Sequence, residues 1–194
     1  DYLVDVLEGA KEVVREGGGI FLGDVRSLPL LPAYHASVQL YQASGETTRD
    51  QLAQSVRTKM ALEEELVIAP EFFQAVSEEW ERVSGVQLST RRGIHANEMS
   101  KFRYDVLLSI GEQDSAKVDM LYQMSEKLAR SLSEDLAALD WIHGEGEEET
   151  VGEFLKTLEV MEFPDPPKTI PITVGGKRGG PWEHYANNPM WEKI

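Results

Sequence analysis

The sequence predicts an α/β fold: the later part of an open sheet, interrupted by a helical insertion and followed by a mainly helical extension. Three observations predict it. Near the start, a helical pattern runs through a glycine turn into a short apolar strand, which is the second part of a β-α-β unit lacking its first strand. From residue 30 to residue 82 the apolar periodicity is helical. Two strand-like runs then follow, Val86 to Thr90 and Phe102 to Ile110. The connector between them is too long for a tight hairpin and suits an antiparallel pair with a functional loop.

Each element has a local cause. Leu3, Val4, Val6, Leu7, Ala10, Val13 and Val14 fall at helical spacing, and Asp1 can cap the first turn. Gly17, Gly18 and Gly19 end that helix. Gly19 to Asp24 reads as a short buried strand that leaves Asp24, Arg26 and Ser27 at its carboxyl end. A parallel strand without a neighbour is unstable, so the first half of the sheet is expected to lie outside this chain. Leu30 to Ser44 is helical after Pro29 and Pro32, and a turn follows from Ser44 to Thr48. Arg49 to Leu66 forms a second helix on Leu52, Val56, Met60 and either Ala61 or Leu62, and Pro70 opens a third through Phe72, Phe73, Val76 and Trp80. Asp114 to Leu139 reads as largely helical with a break near Ser131 to Ser133, and His143 to Thr150 as an acidic loop. Val151 to Met161 is a short amphipathic helix. Beyond Pro164 the composition turns to Pro, Gly and Lys, with one strand candidate at Thr169 to Val174. The resulting division is a core half over residues 1–112 with its insertion at 30–82, a helical extension over 113–163, and a linker over 164–194.

Composition excludes several classes. The chain has 194 residues, enough for one domain with a full core. It carries 34 acidic and 19 basic residues, a net charge of -15, and that field repels phosphate backbones and anionic lipid. Neither nucleic acid nor membrane is expected as a partner. There is no cysteine, hence no disulfide and no thiolate metal site. The four histidines, His35, His95, His143 and His184, share no ligand spacing, so no metal site is expected. No apolar run approaches the roughly 20 residues a membrane span needs, and no signal peptide is recognisable, so a cytoplasmic location is expected. The chain starts at Asp1 with a helix already under way, as if cut from something longer.

The run NEMSKFRYDVLL, Asn97 to Leu108, carries the strongest functional signal. It gathers an amide, a carboxylate, a hydroxyl and the Arg103 guanidinium around the entry of an apolar strand. A buried strand has no need of such a cluster, so the strand end is read as shaping a pocket. The same run resembles the motif N-E-L-S-x-[YF]-R-Y of methyltransferase domains embedded in nonribosomal peptide synthetases, with Met99 as its one departure. DYLVDVLEGAKEVV and GGGIFLGDVRSLPLLPAYHASVQL resemble the family's Y-L-x-x-V-L-E-G and G-D-V-R-S-L-x-L-L-x-x-[FY]-H segments. KMALEEELVIAPEFF resembles E-E-E-L-x-[IV]-x-P-x-F-F, and Leu139, Asp140 and Trp141 match a Leu-Asp-Trp signature. HYANNPM, His184 to Met190, resembles the junction at which the embedded domain returns to its adenylation domain. The resemblance covers most of Asp1 to Trp141 and thins out beyond it.

The resemblance implies the C-terminal part of a class I, Rossmann-like methyltransferase sheet. It implies S-adenosylmethionine as cofactor, and as partners an adenylation domain and a peptidyl carrier protein with its phosphopantetheine arm. The implied substrate is the α-amino group of a carrier-tethered aminoacyl thioester. An amine must be neutral to attack a sulfonium, and holding nucleophile, carbon and sulfur in line does most of the catalysis. On this reading Asp24, His95, Glu98 and Tyr104 are the candidate catalytic residues. Arg26, Ser27, His35, Asn97 and Arg103 would contact substrate, and Asp24 and Val25 the cofactor. The family's glycine-rich loop between a strand and a helix is absent: Gly17 to Gly19 precede their strand, and Gly175 to Gly180 open no helix. This chain alone is therefore expected to bind S-adenosylmethionine weakly or not at all.

Plainer readings stand beside these. Asp24 either serves the site or pairs with Arg26 to brace a loop. Glu98 and Arg103 either line the site or pair with each other. His35 lies on an apolar helix where packing histidines are common, whereas His95 sits in a loop. Glu63, Glu64 and Glu65 read as a solvated helix face, and Arg91 and Arg92 either grip a carrier's phosphate or belong to the surface. Two function classes compete with N-methylation: methyl transfer to carbon or oxygen in a related assembly line, and a non-catalytic lid or interdomain fragment.

Overall fold

A glycine with φ of 73° at position 17 reverses the chain between its first helix and first strand, a conformation that L side chains rarely adopt. The computed structural model describes residues 2–90, 95–111, 121–123, 126–145, 148–161 and 169–171. Before the turn, α1 (Tyr2–Val13) buries Leu7 and leans Leu3 and Val4 on the core. Arg82 closes its end, donating to the carbonyls of Lys11 and Val14 at 2.8 and 3.0 Å. After the turn, β1 runs from Gly19 to Ser27.

A single turn of 3-10 helix, Leu28–Leu30, leads into α2 (Leu31–Gln42). Thr48 and Gln51 form a capping box that starts α3 (Arg49–Ala61), because each side chain satisfies the other's backbone N–H. The short β2 (Val67–Ile68) is followed by α4 (Pro70–Glu79), with proline in its first turn. Then come β3 (Val83–Thr90), α5 (Glu98–Lys101) and β4 (Arg103–Ile110). A small two-stranded antiparallel sheet of β5 (Leu121–Gln123) and β6 (Thr169–Pro171) flanks α6 (Glu126–His143) and α7 (Val151–Val160) in sequence.

The fold is α/β, with a mixed four-stranded sheet in the order β2-β1-β4-β3. β4 is central and antiparallel to both neighbours, with Phe21 opposite Leu107 on one side and Leu88 opposite Val106 on the other. β2 is parallel to β1 but pairs only with its last two residues, Arg26 and Ser27. Among the described residues the rest of that β1 edge has no ladder partner.

Two cores result. Alternation along β3 and β4 puts Val86, Leu88, Tyr104, Val106, Leu108 and Ile110 on one face, packed with Leu7, Phe73, Val76 and Trp80. The other face carries the cross-strand pair Phe21 and Leu107, 66% and 37% exposed. The second core joins α2, α3, α6 and α7 through Ala36, Leu52, Val56, Leu136 and Phe154, with Phe102 from the end of α5 among them and Trp141 stacked on Phe154 at 4.7 Å. Arg49 locks it: its guanidinium lies over the Trp141 ring and reaches the Glu149 carboxylate and the Glu145 carbonyl.

The expectations differ from this in definable ways. β1 has neighbours on both sides, although the parallel one is two residues long. It also continues past Asp24 to Ser27, so Asp24 lies within the strand rather than at its carboxyl end. The second insertion helix ends at Ala61 instead of Leu66, because Glu63 and Glu65 are drawn into ion pairs described below. The second strand begins at Val83, three residues before its expected start. Leu121–Gln123 is a strand where helix was expected, and α6 runs unbroken through Ser131 to Ser133. The expectations for Arg91 and Arg92, for residues 113–120 and for everything after Pro171, including Gly175 to Gly180 and His184 to Met190, lie outside the described residues.

Candidate functional site

The charged residues converge where β1 ends. Arg26, buried to 7% exposure, leaves β1 at the point where β2 joins it. Its guanidinium lies over the Tyr34 ring at 4.4 Å, donates to Glu63 at 2.8 Å and pairs with Glu65 at 2.6 Å. Across the ladder its partner is Arg103, a second cation directly opposite. Like charges in that position repel. Glu65 resolves the conflict, since its two oxygens accept both Arg103 nitrogens at 2.6 and 3.0 Å while it also faces Arg26.

His35 enters the network from α2. Its Nε2 lies 3.1 Å from the same Glu63 oxygen that holds Arg26. Burial lowers the His35 pKa and outweighs the attraction of the Glu63 carboxylate, so the imidazole is neutral near pH 7. Burial works against the charged form of Glu63 as well. The Glu65 backbone N–H, Arg26 and His35 more than offset this and hold Glu63 below the usual carboxylate range. With Glu63 ionised, Nε2 carries the proton and Nδ1 the lone pair. Burial raises the Tyr34 hydroxyl pKa; Arg26 pulls against that and the nearby Glu98 adds to it.

Asp24 occupies a bulge between Leu22 and Val25, with φ at 67°. A left-handed Asp costs on the order of 1 kcal/mol and persists only when neighbours hold it. Its N–H donates to Asp105 Oδ1 at 2.9 Å. Its carbonyl and carboxylate both lie near Arg103 Nη1, at 3.3 and 3.4 Å. The Asp24 side chain is 41% exposed, which leaves the carboxylate reachable from outside.

The sequence-derived candidates separate on this geometry. Asp24, Arg26, His35 and Arg103 belong to one connected cluster. Arg103 is taken by Glu65 and Asp24, not by Glu98 as one reading had it, and Asp24 pairs with Arg103 rather than Arg26. Glu98 lies beside Tyr34 at the edge of the cluster. Tyr104 points into the sheet core and not into the cluster: its side chain is wholly buried and its hydroxyl donates to the Ile68 carbonyl at 2.9 Å. Burial raises its pKa far above the usual phenol value. Asn97 is the N-cap of α5 in a reciprocal box with Ser100, so its amide oxygen serves the helix. Ser100 also donates to the His95 carbonyl at 2.7 Å, and the His95 side chain is exposed. Ser27 is buried, with its N–H bonded to the Phe102 carbonyl, and Val25 packs against the sheet core.

Sequence reasoning missed Glu63 and Glu65, read as a solvated face. No sequence signal set them apart from Glu64, because three consecutive acids read alike and the helix was expected to run on to Leu66. An open concavity of about 600 Å³ runs along the outer face of α3, lined by Asp50, Gln54, Arg57 and Lys59 among others. Among the described residues no group of three or more His, Asp or Glu is arranged to hold a metal ion. None of the described helices is long and apolar enough to cross a membrane.

The chain's relatives give this cluster its context. No family model matches. Over 111 residues, 57% of the chain, it is 49% identical to chondramide synthase cmdD of Chondromyces crocatus. Over the same share it is 39% identical to the probable non-canonical nonribosomal peptide synthetase CymA of Salinispora arenicola. Cyclosporin synthetase simA of Tolypocladium inflatum matches 47% of the chain at 34% identity. These relatives are nonribosomal peptide synthetases or related synthetases. The chain spans 3%, 1% and 1% of their respective lengths.

Proposed function

We propose that this chain is the C-terminal part of a methyltransferase domain in a nonribosomal peptide synthetase, methylating the α-amino group of a carrier-tethered aminoacyl thioester. The similarity to synthetase segments supports the assembly-line setting, and the resemblance of the Asp1 to Trp141 motifs to embedded methyltransferases supports the reaction. The observation that carries the reading is the contact of His35 with Glu63, in one ion-pair network with the reachable Asp24 carboxylate. A protonated amine has to lose its proton before it can attack, and its ordinary pKa lies at roughly 7.7–8.0. A neutral imidazole and an exposed carboxylate are acceptors of suitable strength for that step. On this reading Asp24 orients the ammonium by charge, and the largely buried His35 is the candidate acceptor of its proton. Glu98 and Tyr34 line the approach from the α5 side.

The described residues do not by themselves make a cradle for S-adenosylmethionine. β1 passes into a 3-10 turn through Leu28 and Pro29, and β2 passes into α4 through Ala69 and Pro70. Neither junction offers a glycine loop on which a ligand could rest against backbone N–H groups. The cofactor's main site is therefore assigned to adjoining polypeptide, alongside the adenylation domain and the carrier protein. The same lack favours a second reading, a non-catalytic lid. Incubating the complete synthetase module with S-adenosylmethionine and a carrier-loaded amino acid decides between them. Mass spectrometry should find an N-methyl aminoacyl product; C- or O-methyl product, or none, would overturn the assignment.

A further inference from the structure

Glu65 sits at a junction that the acid-base chemistry above does not use. It bridges two arginines that face each other across β1 and β4, and one of them, Arg103, touches both the carbonyl and the carboxylate of Asp24. Without a carboxylate between them, Arg26 and Arg103 would repel, and Arg103 has the freedom of a long, flexible side chain to swing away. Asp24 is the single described non-glycine residue with positive φ. Its backbone is pinned from two directions, by Asp105 at the N–H and by Arg103 at the carbonyl. Both anchors are side chains of β4, and the long Arg103 side chain is itself held in place by Glu65.

From this geometry we infer that Glu65 is a positioning residue, which acts through Arg103 to hold the Asp24 bulge in its left-handed conformation and its carboxylate toward the site. Glu65 touches neither substrate nor reacting atoms in this scheme. The inference deepens the proposed function, in which Asp24 orients the amine, but the bulge itself exists whatever the reaction is.

Hydrogen exchange of individual amides in the 194-residue chain tests it, because the Asp24 N–H is the donor to Asp105. Glu65→Gln keeps the volume and removes the charge that clamps both arginines. The Asp24 amide should exchange about tenfold faster or more, while Val106 and Leu108 in β4 keep their protection. Glu64→Gln is the matched control and should change neither. If the Asp24 amide is unaffected, or if protection falls uniformly along β1 and β4, the positioning role is overturned. Should the Gln variant fail to fold, Arg103→Lys reads the same amide, since it keeps the charge and loses the two-pronged bond to Glu65; the same outcomes apply. In the complete module, Glu65→Gln should lower kcat with KM for the loaded carrier unchanged, and Glu65→Asp should restore part of it. Local loosening at Asp24 in a module that never methylates would sink the methyltransferase reading and leave this inference standing.

Discussion

At the scale of single residues, Asp24 and His35 divide the proposed work. Asn tolerates the left-handed region about as well as Asp does, so Asp24→Asn should leave the bulge and the melting temperature close to wild type. Turnover in the complete module should fall by roughly tenfold or more, because the ammonium loses its counter-charge. Unchanged turnover would reduce Asp24 to a loop brace. For His35 the folded pKa lies below the ordinary value because of burial. The unfolded chain therefore takes up this proton first, from about pH 6.5 downward. Stability is full above that pH and declines as pH falls toward the folded pKa. Melting temperatures measured from pH 8 to pH 5 should drop in this window, and His35→Gln should flatten the slope; an equal slope in the variant would remove His35 as its source. Asp24, Arg26 and Arg103 were legible as polar residues at predicted strand ends, and His35 as a histidine on an apolar helix. Which of them touch was not legible, since that depends on the bulge and on two acids that follow a helix end. For Tyr104 and Asn97 the letters alone do not show that one is anchored to a backbone carbonyl and the other caps a helix.

At the scale of elements, α5 is a helix of four residues that could not persist alone. Asn97 and Ser100 cap it, and Lys101 ties it to α6 through Asp135 at 2.5 Å, with both side chains largely buried. Burial raises the Asp135 pKa, with Lys101 and Ser37 pulling it back. This pair sets where α5 lies, and with it Glu98 beside Tyr34. Removing one partner leaves the other charge buried, at a cost of about 3–5 kcal/mol, whereas replacing both by apolar residues of similar size is close to neutral. Lys101→Met should therefore destabilise strongly in urea unfolding, and Lys101→Met combined with Asp135→Leu should recover most of the loss. A double variant as weak as the single one would show that the pair contributes more than mutual neutralisation. The apolar periodicity that located α1, α2, α4 and α7 is a local property, which is why those elements were readable. The end of α3, the strand at Leu121–Gln123 and the two-residue β2 were not, because ion pairs and ladder partners far along the chain decide them.

At the scale of the whole molecule, the sheet is half dressed. One face packs against Leu7, Phe73 and Trp80, while the other shows Phe21 and Leu107 to solvent, and most of one β1 edge has no ladder partner among the described residues. Exposed edges and apolar sheet faces are ordinarily covered. Ligands of open α/β sheets bind outside the carboxyl ends of the strands, and here only β1 and the brief β2 run in parallel toward that side. On the proposed reading, most of the cofactor's surface would lie on adjoining polypeptide, with the charged cluster along one edge of it. Titration calorimetry of S-adenosylmethionine into the 194-residue chain should show no tight binding, and titration into the complete domain should show it. Micromolar affinity in the isolated chain would place the cofactor site within these residues and overturn the division of labour proposed for them. Equal failure of both proteins to bind would instead leave the lid reading as the better account of the cluster.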